Sequence, residues 1–490
     1  MKSLKAKLFA AAIGGLVVTS SCKKEFADLN RNPNNLEVAD SSTLLSNIIV
    51  NEFKGNADIA WTLGNAFSQQ ATFSADYYNH PARYQPVSND PYWTLNYTNA
   101  RDAGTLAARA QAAGNGVVQG VALTLQAYAF AQLTELWGDI PFKQALQGQS
   151  GTFTAPYDSQ QTVYTDPDMG ILAQLRKAEG LLKANPQGVI TGDALYGGNA
   201  GKWRKLVNGL RLRYLLRVSG KLDVKAEMQG IVNDGAIFQS AAEAGVLPLQ
   251  TTGVYVFASV LERAGDFNVK YLNTLLYNAY RTTGDQDRLS LIFAKNAASA
   301  TQPGFNFSYY GGLPIVTEAS TVQLNQASLF NASFRTASGS PLLYSRILNY
   351  SEVQFILAEA AQKGFITTGN AQTYYAQGVR GAYAEAGLDV SRANAYLLNP
   401  GAAYSAAMGL SQIITQKWMA NLNNGFEGWI EYKRTGFPTF DTGGAANLNG
   451  GKIPNRFIYP DSEKSINNAN YTAEISKSGG ADDPNYRAWW

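Results

Sequence analysis

Val121–Leu146, VALTLQAYAFAQLTELWGDIPFKQAL, is the stretch on which the fold turns. Leu123, Ala127, Phe130, Leu133 and Trp137 recur every three or four residues, with Val121, Leu125, Tyr128 and Ala129 beside them. So wide an apolar stripe predicts a helix over the first sixteen residues, packed on more than one side. Gly138 stands where a glycine beyond the last turn ends a helix, and Pro141 prevents its resumption. This is a buried scaffold helix with a hard stop.

Upstream, the amino terminus sets the compartment. Lys2, Lys5 and Lys7 precede a short apolar run, Leu8–Val18, which is shorter than the ~20 residues a membrane-spanning helix needs and fits a secretory signal peptide. The chain's single cysteine, Cys22, follows Thr19, Ser20 and Ser21. One leftover thiol in an exported chain needs a purpose. Its place at the end of the signal matches a bacterial lipidation site, although Thr19 stands where leucine is usual. The expected division is a signal peptide over 1–21, a lipidated flexible leader over 22–40, and one compact unit over 41–490. Three of the 40 basic side chains lie in residues 1–21, which leaves 37 against 37 acidic ones. That balance argues against nucleic acid as a partner.

Downstream the chain is mainly helical. Ser41–Ser42 opens a helix through Phe53, another runs from Trp93 to about Ala113, and two more are expected near 167–184 and 202–219. Trp93, Leu95 and Tyr97 read as core. In the last helix Arg211, Arg213 and Arg217 are expected to tie helices together through buried carboxylates and carbonyls. Residues 235–348 are looser, broken by Gly and Pro. Tyr350–Leu388 reads as a helical hairpin in which Ala371, Tyr375 and Gly378 repeat the small–aromatic–small spacing of a TPR second helix.

The residues for catalysis are scarce. His80 is the only histidine and Cys22 the only cysteine, which leaves no ordinary Cys/His zinc site. There is no Gly-x-Ser-x-Gly elbow, phosphate-binding loop or EF-hand calcium loop. Neither cofactor nor metal is expected. An unrecognised pair of carboxylates keeps a glycoside hydrolase as the alternative of another class. Aromatic residues, by contrast, make up 12% of the chain and include 27 tyrosines. Flat rings offer apolar faces to sugar C–H groups, and Tyr and Arg can bond ligand oxygens. Most rings should be core, Tyr128, Trp137, Trp203, Trp418 and Trp429 among them. Two clusters interrupted by Gly, Pro and Asn are the candidate ligand-binding loops: Tyr77, Tyr78, Arg83 and Tyr84, and then Phe305, Phe307, Tyr309 and Tyr310.

Several motifs in order carry a family resemblance. They are Asn30–Asn34 after the cysteine, Trp137–Phe142 (WGDIPF), Lys202–Ser219 (KWRKLVNGLRLRYLLRVS) and Gly284–Leu289 (GDQDRL). Tyr350–Ile366, Gly425–Pro438 (GFEGWIEYKRTGFP), Ile453–Arg456, Tyr459–Asn467 and the closing Tyr486–Trp490 complete the set. Together the chain resembles the SusD/RagB family of outer-membrane nutrient-binding lipoproteins, from Cys22 to Trp490. That resemblance implies a mainly α fold, with TPR-like helical hairpins as scaffold and a loop-rich ligand-binding half. It implies a non-enzymatic protein, lipid-anchored at the outer membrane and facing the exterior. It would capture oligosaccharide, or peptide on the RagB side of the family, for a SusC-like TonB-dependent transporter. It also places the first aromatic loop in the ligand-facing region.

Overall fold

A computed structural model describes residues 40–74, 80–151, 153–253, 255–336 and 343–490. The main helices are α1 (Ser41–Ile59), α2 (Asp90–Ala112), α3 (Gly116–Trp137), α4 (Ile171–Ala184), α5 (Ala200–Val218), α6 (Tyr350–Gln362), α7 (Ala371–Glu385), α8 (Gly409–Ala420) and α9 (Glu427–Thr435). Each of α2, α3, α4 and α5 packs on its predecessor, and α6 lies on α5, α7 and α8. Among the described residues, β structure is limited to three two-stranded antiparallel ribbons and a few isolated bridges. The longest of the three pairs Ala71–Phe73 with Lys270–Leu272.

The helix α3 is enclosed on nearly every side, as its broad stripe predicts: Tyr128, Phe130, Leu133, Leu136 and Trp137 are all buried. Gly138 adopts φ 85°, a conformation that favours glycine, and the helix ends there. The Trp137 indole N–H then reaches the carbonyl of Ile458 at 3.1 Å, tying the helix to the carboxyl-terminal region. Trp203, Trp418 and Trp429 are likewise fully buried.

Some boundaries differ from the sequence reading. Asp40, rather than Ser41 or Ser42, caps α1: its carboxylate accepts from the backbone N–H groups of Ser42 (2.7 Å) and Thr43 (2.9 Å). Bonds from Ser42 and Thr43 lower its pKa to about 2. The helix also runs beyond Phe53, because Asn56, Ala57 and Ile59 continue the buried face. A short helix absent from the sequence reading runs over Gln160–Thr165, capped by Ser159.

Beyond Ile59, α1 passes without a break into a π turn over Ala60–Gly64 and a last turn at Asn65–Phe67. At Gly64 the backbone passes so close to Gly425 that an added Cβ would stand 1.9 Å from that carbonyl oxygen.

The helix pairs interlock through small residues. An added Cβ at Gly378 on α7 would stand 2.5 Å from the Phe355 ring of α6, and Tyr375 packs on that ring at 6.1 Å. The TPR-like spacing thus marks where α6 inserts a ring into α7. Arg213 and Arg217 of α5 do as expected, whereas Arg211 pairs with the partly exposed Glu227 at 2.9 Å. Arg213 bonds Glu352 of α6 through two nitrogens, each at 2.7 Å. Arg217 bonds Glu135 of α3 and Glu427 of α9 at 2.7 Å each, and also pairs with Glu431. Burial raises the pKa of Glu431, but Arg434, Lys417 and Arg217 outweigh it and hold the carboxyl well below its ordinary range.

Candidate functional site

The π turn at the end of α1 builds one wall of a cleft of about 470 Å³. Ile59 contributes from the end of α1, Thr62 and Leu63 from that turn, Phe73 and Lys270 from the paired strands, Asn89 and Pro91 from the start of α2, and Glu262, Asp266 and Val269 from the loop-rich half. A cleft of this size suits a small ligand or part of a chain. A wide turn at the end of a helix is a common device at binding sites.

Beneath the cleft Trp61 is almost fully buried. Phe267 and Phe334 stack on it at 5.6 Å each, and Phe257 and Phe330 meet it edge-on at 5.7 and 4.9 Å. Its indole N–H donates to Glu262 Oε2 at 3.0 Å. The Lys270 ammonium donates to Glu262 Oε1 at 2.5 Å and to the Asp266 carbonyl at 3.1 Å. The same ammonium lies 5.3 Å from the centre of the Trp61 ring and 5.6 Å from that of Phe73, where the rings' negative faces attract it. Burial pushes the Lys270 pKa below the ordinary lysine value, while Glu262 and Asp266 pull the other way. A rigid aromatic base therefore carries a fixed ion pair, and Phe73 remains partly exposed beside it.

Asn89 adds a hydrogen-bond donor. It sits in the left-handed region (φ 52°) ahead of α2 and makes no side-chain cap to the helix. Its Nδ2 is buried without a partner. A buried donor left unpaired at the edge of a cleft is a group a ligand can satisfy.

The expected ligand-binding residues are distributed differently from the sequence reading. Tyr77 and Tyr78 lie outside the described residues. Arg83 donates from Nε to the carbonyl of Ala446 at 2.8 Å, which fixes the return of its loop. Tyr84 requires a correction. It has no exposed surface, its hydroxyl accepts from Gln69 at 2.8 Å and donates to the Phe67 carbonyl at 3.3 Å, and its ring meets Phe67 edge-on at 5.7 Å. Tyr84 is a core anchor, and its ring partner is Phe67.

The second cluster does not close this cleft. Phe305 packs against Phe307 at 5.0 Å and Tyr310 at 5.4 Å, and Tyr310 is only 6% exposed. Tyr309, half-buried, lies below the Lys295 ammonium at 5.3 Å. Gly312, just after the cluster, abuts Thr274. Ser74 joins Val269 at the other end of the same strand. The cluster thus lies beyond the Leu272 end of that strand, whereas Phe73 pairs at its Lys270 end. Phe305, Phe307 and Tyr309 keep part of their surface exposed while packing on the core, and Tyr310 is buried.

Trp61, Asn89, Glu262 and Lys270 were not singled out by sequence. Among the described residues no group of His, Cys, Asp and Glu could hold a metal ion.

A family model described as SusD-like, starch-binding and associating with the outer membrane, matches residues 33–460. The chain is similar to the crystal structure of a SusD homologue from Bacteroides fragilis, with 27% identity, TM-score 0.79, and coverage of 92% of this chain and 99% of that one. It is similar also to a Bacteroides vulgatus outer-membrane protein associated with nutrient binding, at 26% identity and TM-score 0.80, covering 92% of this chain and 100% of that one. A chitin-binding SusD homologue from Flavobacterium johnsoniae shares the fold at 20% identity and TM-score 0.74, covering 91% and 98%. No curated protein matches the sequence.

Proposed function

This chain belongs to the SusD-like family of outer-membrane nutrient-binding proteins, and we propose that it captures oligosaccharide in the cleft between Phe73, Asn89 and Lys270. Proteins of this family bind rather than catalyse. The remainder of the proposal follows the family's architecture. Cys22, outside the described residues, carries the lipid anchor, the protein faces the exterior, and a SusC-like TonB-dependent transporter receives the ligand. The TPR-like half would meet the transporter, and the loop-rich half the ligand.

One observation carries the glycan reading: a partly exposed ring, a buried unpaired amide donor and a fixed ion pair meet in one cleft. A pyranose has an apolar face for the ring and hydroxyls for the polar groups. The family description names starch, also a glycan. Tyr77 and Tyr78 remain candidates on sequence grounds, and so do Phe305, Phe307 and Tyr309 as a separate patch.

Calorimetric titration with starch-derived and chitin-derived oligosaccharides tests the proposal. Phe73→Ala or Asn89→Ala should weaken binding by about 1–3 kcal/mol, roughly tenfold to a hundredfold in Kd. Binding of peptides with no response to any glycan would move the protein to the RagB side of the family. New reducing ends on incubation with glycan would make it a hydrolase.

A further inference from the structure

A second cleft, of about 320 Å³, opens on the same helix. Thr94, Tyr97, Thr98 and Arg101 of α2 line it, facing Phe153 and Glu463. Phe153 is 77% exposed, a large apolar ring left in solvent at the mouth of a polar cleft. Glu463 accepts from the Tyr157 hydroxyl at 2.8 Å and from the Asn467 amide at 2.9 Å, both through Oε2, so Oε1 is open to a further donor. Arg101 is paired with Asp102 at 2.8 Å and half-exposed. The cleft therefore offers a ring face, hydroxyls, a carboxylate oxygen and a neutralised guanidinium, a set that suits an uncharged polyhydroxylated chain better than an ion.

The two clefts are joined by helical periodicity. Pro91 lines the first cleft, and Thr94, Thr98 and Arg101 line the second. These positions are spaced by three, four and three residues, which puts them on one face of α2. Tyr92, Trp93, Asn96 and Asn99, which fall between them, are buried. From Pro91 to Thr98 the helix rises about 10 Å. A ligand held against Phe73 and Asn89 can thus continue along that face to Phe153.

We propose that the cleft at Phe153 is a second glycan subsite and that an extended oligosaccharide occupies both clefts across the first turns of α2. The proposal rests on the glycan reading of the first cleft. Short ligands would bind the first cleft alone. Longer ones would gain affinity through the second by the effective concentration that a shared chain creates.

The test is a length series of malto- and chito-oligosaccharides, from disaccharide to octasaccharide, titrated into the full chain. Three exchanges accompany it: Phe153→Ala, Thr94→Arg to obstruct the path between the clefts, and Phe73→Ala in the first cleft. Affinity of the unmodified chain should rise with length. Phe153→Ala and Thr94→Arg should remove that gain, about tenfold or more for the octasaccharide, and leave disaccharide binding unchanged. Phe73→Ala should weaken every length. Disaccharide binding with no gain at greater length, or a gain that survives both Phe153→Ala and Thr94→Arg, overturns the second subsite and leaves the first cleft standing. No response to any glycan overturns both readings, and a length-dependent gain confined to peptides reassigns the surface.

Discussion

The Nε of Arg217 lies 2.7 Å from Oε1 of Glu135, with both side chains wholly removed from solvent. The same Glu135 oxygen accepts from the Tyr164 hydroxyl at 2.7 Å. Through Arg217, α3, α5 and α9 share one charge cluster, which Arg213 extends to α6. A buried cluster of this kind is favourable only when complete, because the desolvation of each ion is offset by its neighbours.

Arg217→Ala leaves Glu135, Glu427 and Glu431 without their shared cation. Stability should fall by about 3–5 kcal/mol. Arg217→Lys should recover only part of this, since an ammonium cannot direct parallel bonds to separate carboxylates. Denaturant titration of both variants is the measurement; a loss below about 1 kcal/mol in Arg217→Ala would show that the cluster is not coupled as described.

Glu52 on α1 gives the opposite case. Both carboxyl oxygens are buried without a partner, and burial alone raises its pKa well above the ordinary 4.5. Below that value it is protonated in both folded and unfolded chains. As the pH rises further, the unfolded chain ionises while the folded one stays neutral. Stability is therefore lost by up to about 1.4 kcal/mol per pH unit until the folded pKa is reached. Glu52→Gln should be more stable than the unmodified chain at neutral pH and converge with it near pH 4.5. Parallel melts across that range decide it; a constant difference between the two chains would refute the assignment.

Tyr84→Phe should reduce stability by about 1 kcal/mol, the contribution of its hydroxyl bonds, and leave glycan affinity unaltered. Tyr84→Ala removes a fully buried ring and should cost about 3–5 kcal/mol. A tenfold loss of affinity in Tyr84→Phe, with an unchanged melt, would return Tyr84 to the ligand.

Cys22→Ala should release the mature protein from membranes into the soluble fraction, because acyl chains contribute about 0.8 kcal/mol per buried CH₂ to anchoring. Fractionation of cells expressing each form reads this directly. Membrane retention equal to that of the unmodified protein would assign the anchor elsewhere.

The scaffold was legible in the sequence wherever its signals were local. Gly138 and Pro141 stop α3 within four residues of each other, and Gly378 with Tyr375 marks the α6–α7 seam. Arg213 and Arg217 were legible because they interrupt an otherwise apolar helix face, where a cation needs a carboxylate. The cleft was not legible, because Thr62, Phe73, Asn89 and Lys270 meet only after about 200 residues of intervening chain have folded. An asparagine before a helix reads as a cap, and only the geometry shows that Asn89 leaves the helix uncapped. Tyr84 was misread because its neighbours in sequence are loop residues, whereas its surroundings in space are Phe67 and Gln69.

The π turn at Ala60–Gly64 constrains how this chain can change length. It accommodates one residue more than an α turn would in the same helix. Removing one residue there would restore the α ladder and leave Asn65 onward close to its present phase, because the π turn is what absorbs the additional residue. What would be lost is the widened turn itself, whose Thr62 and Leu63 line the cleft and whose Gly64 lies against Gly425. A single-residue deletion at this turn should therefore spare the helical scaffold and reshape the wall of the binding cleft.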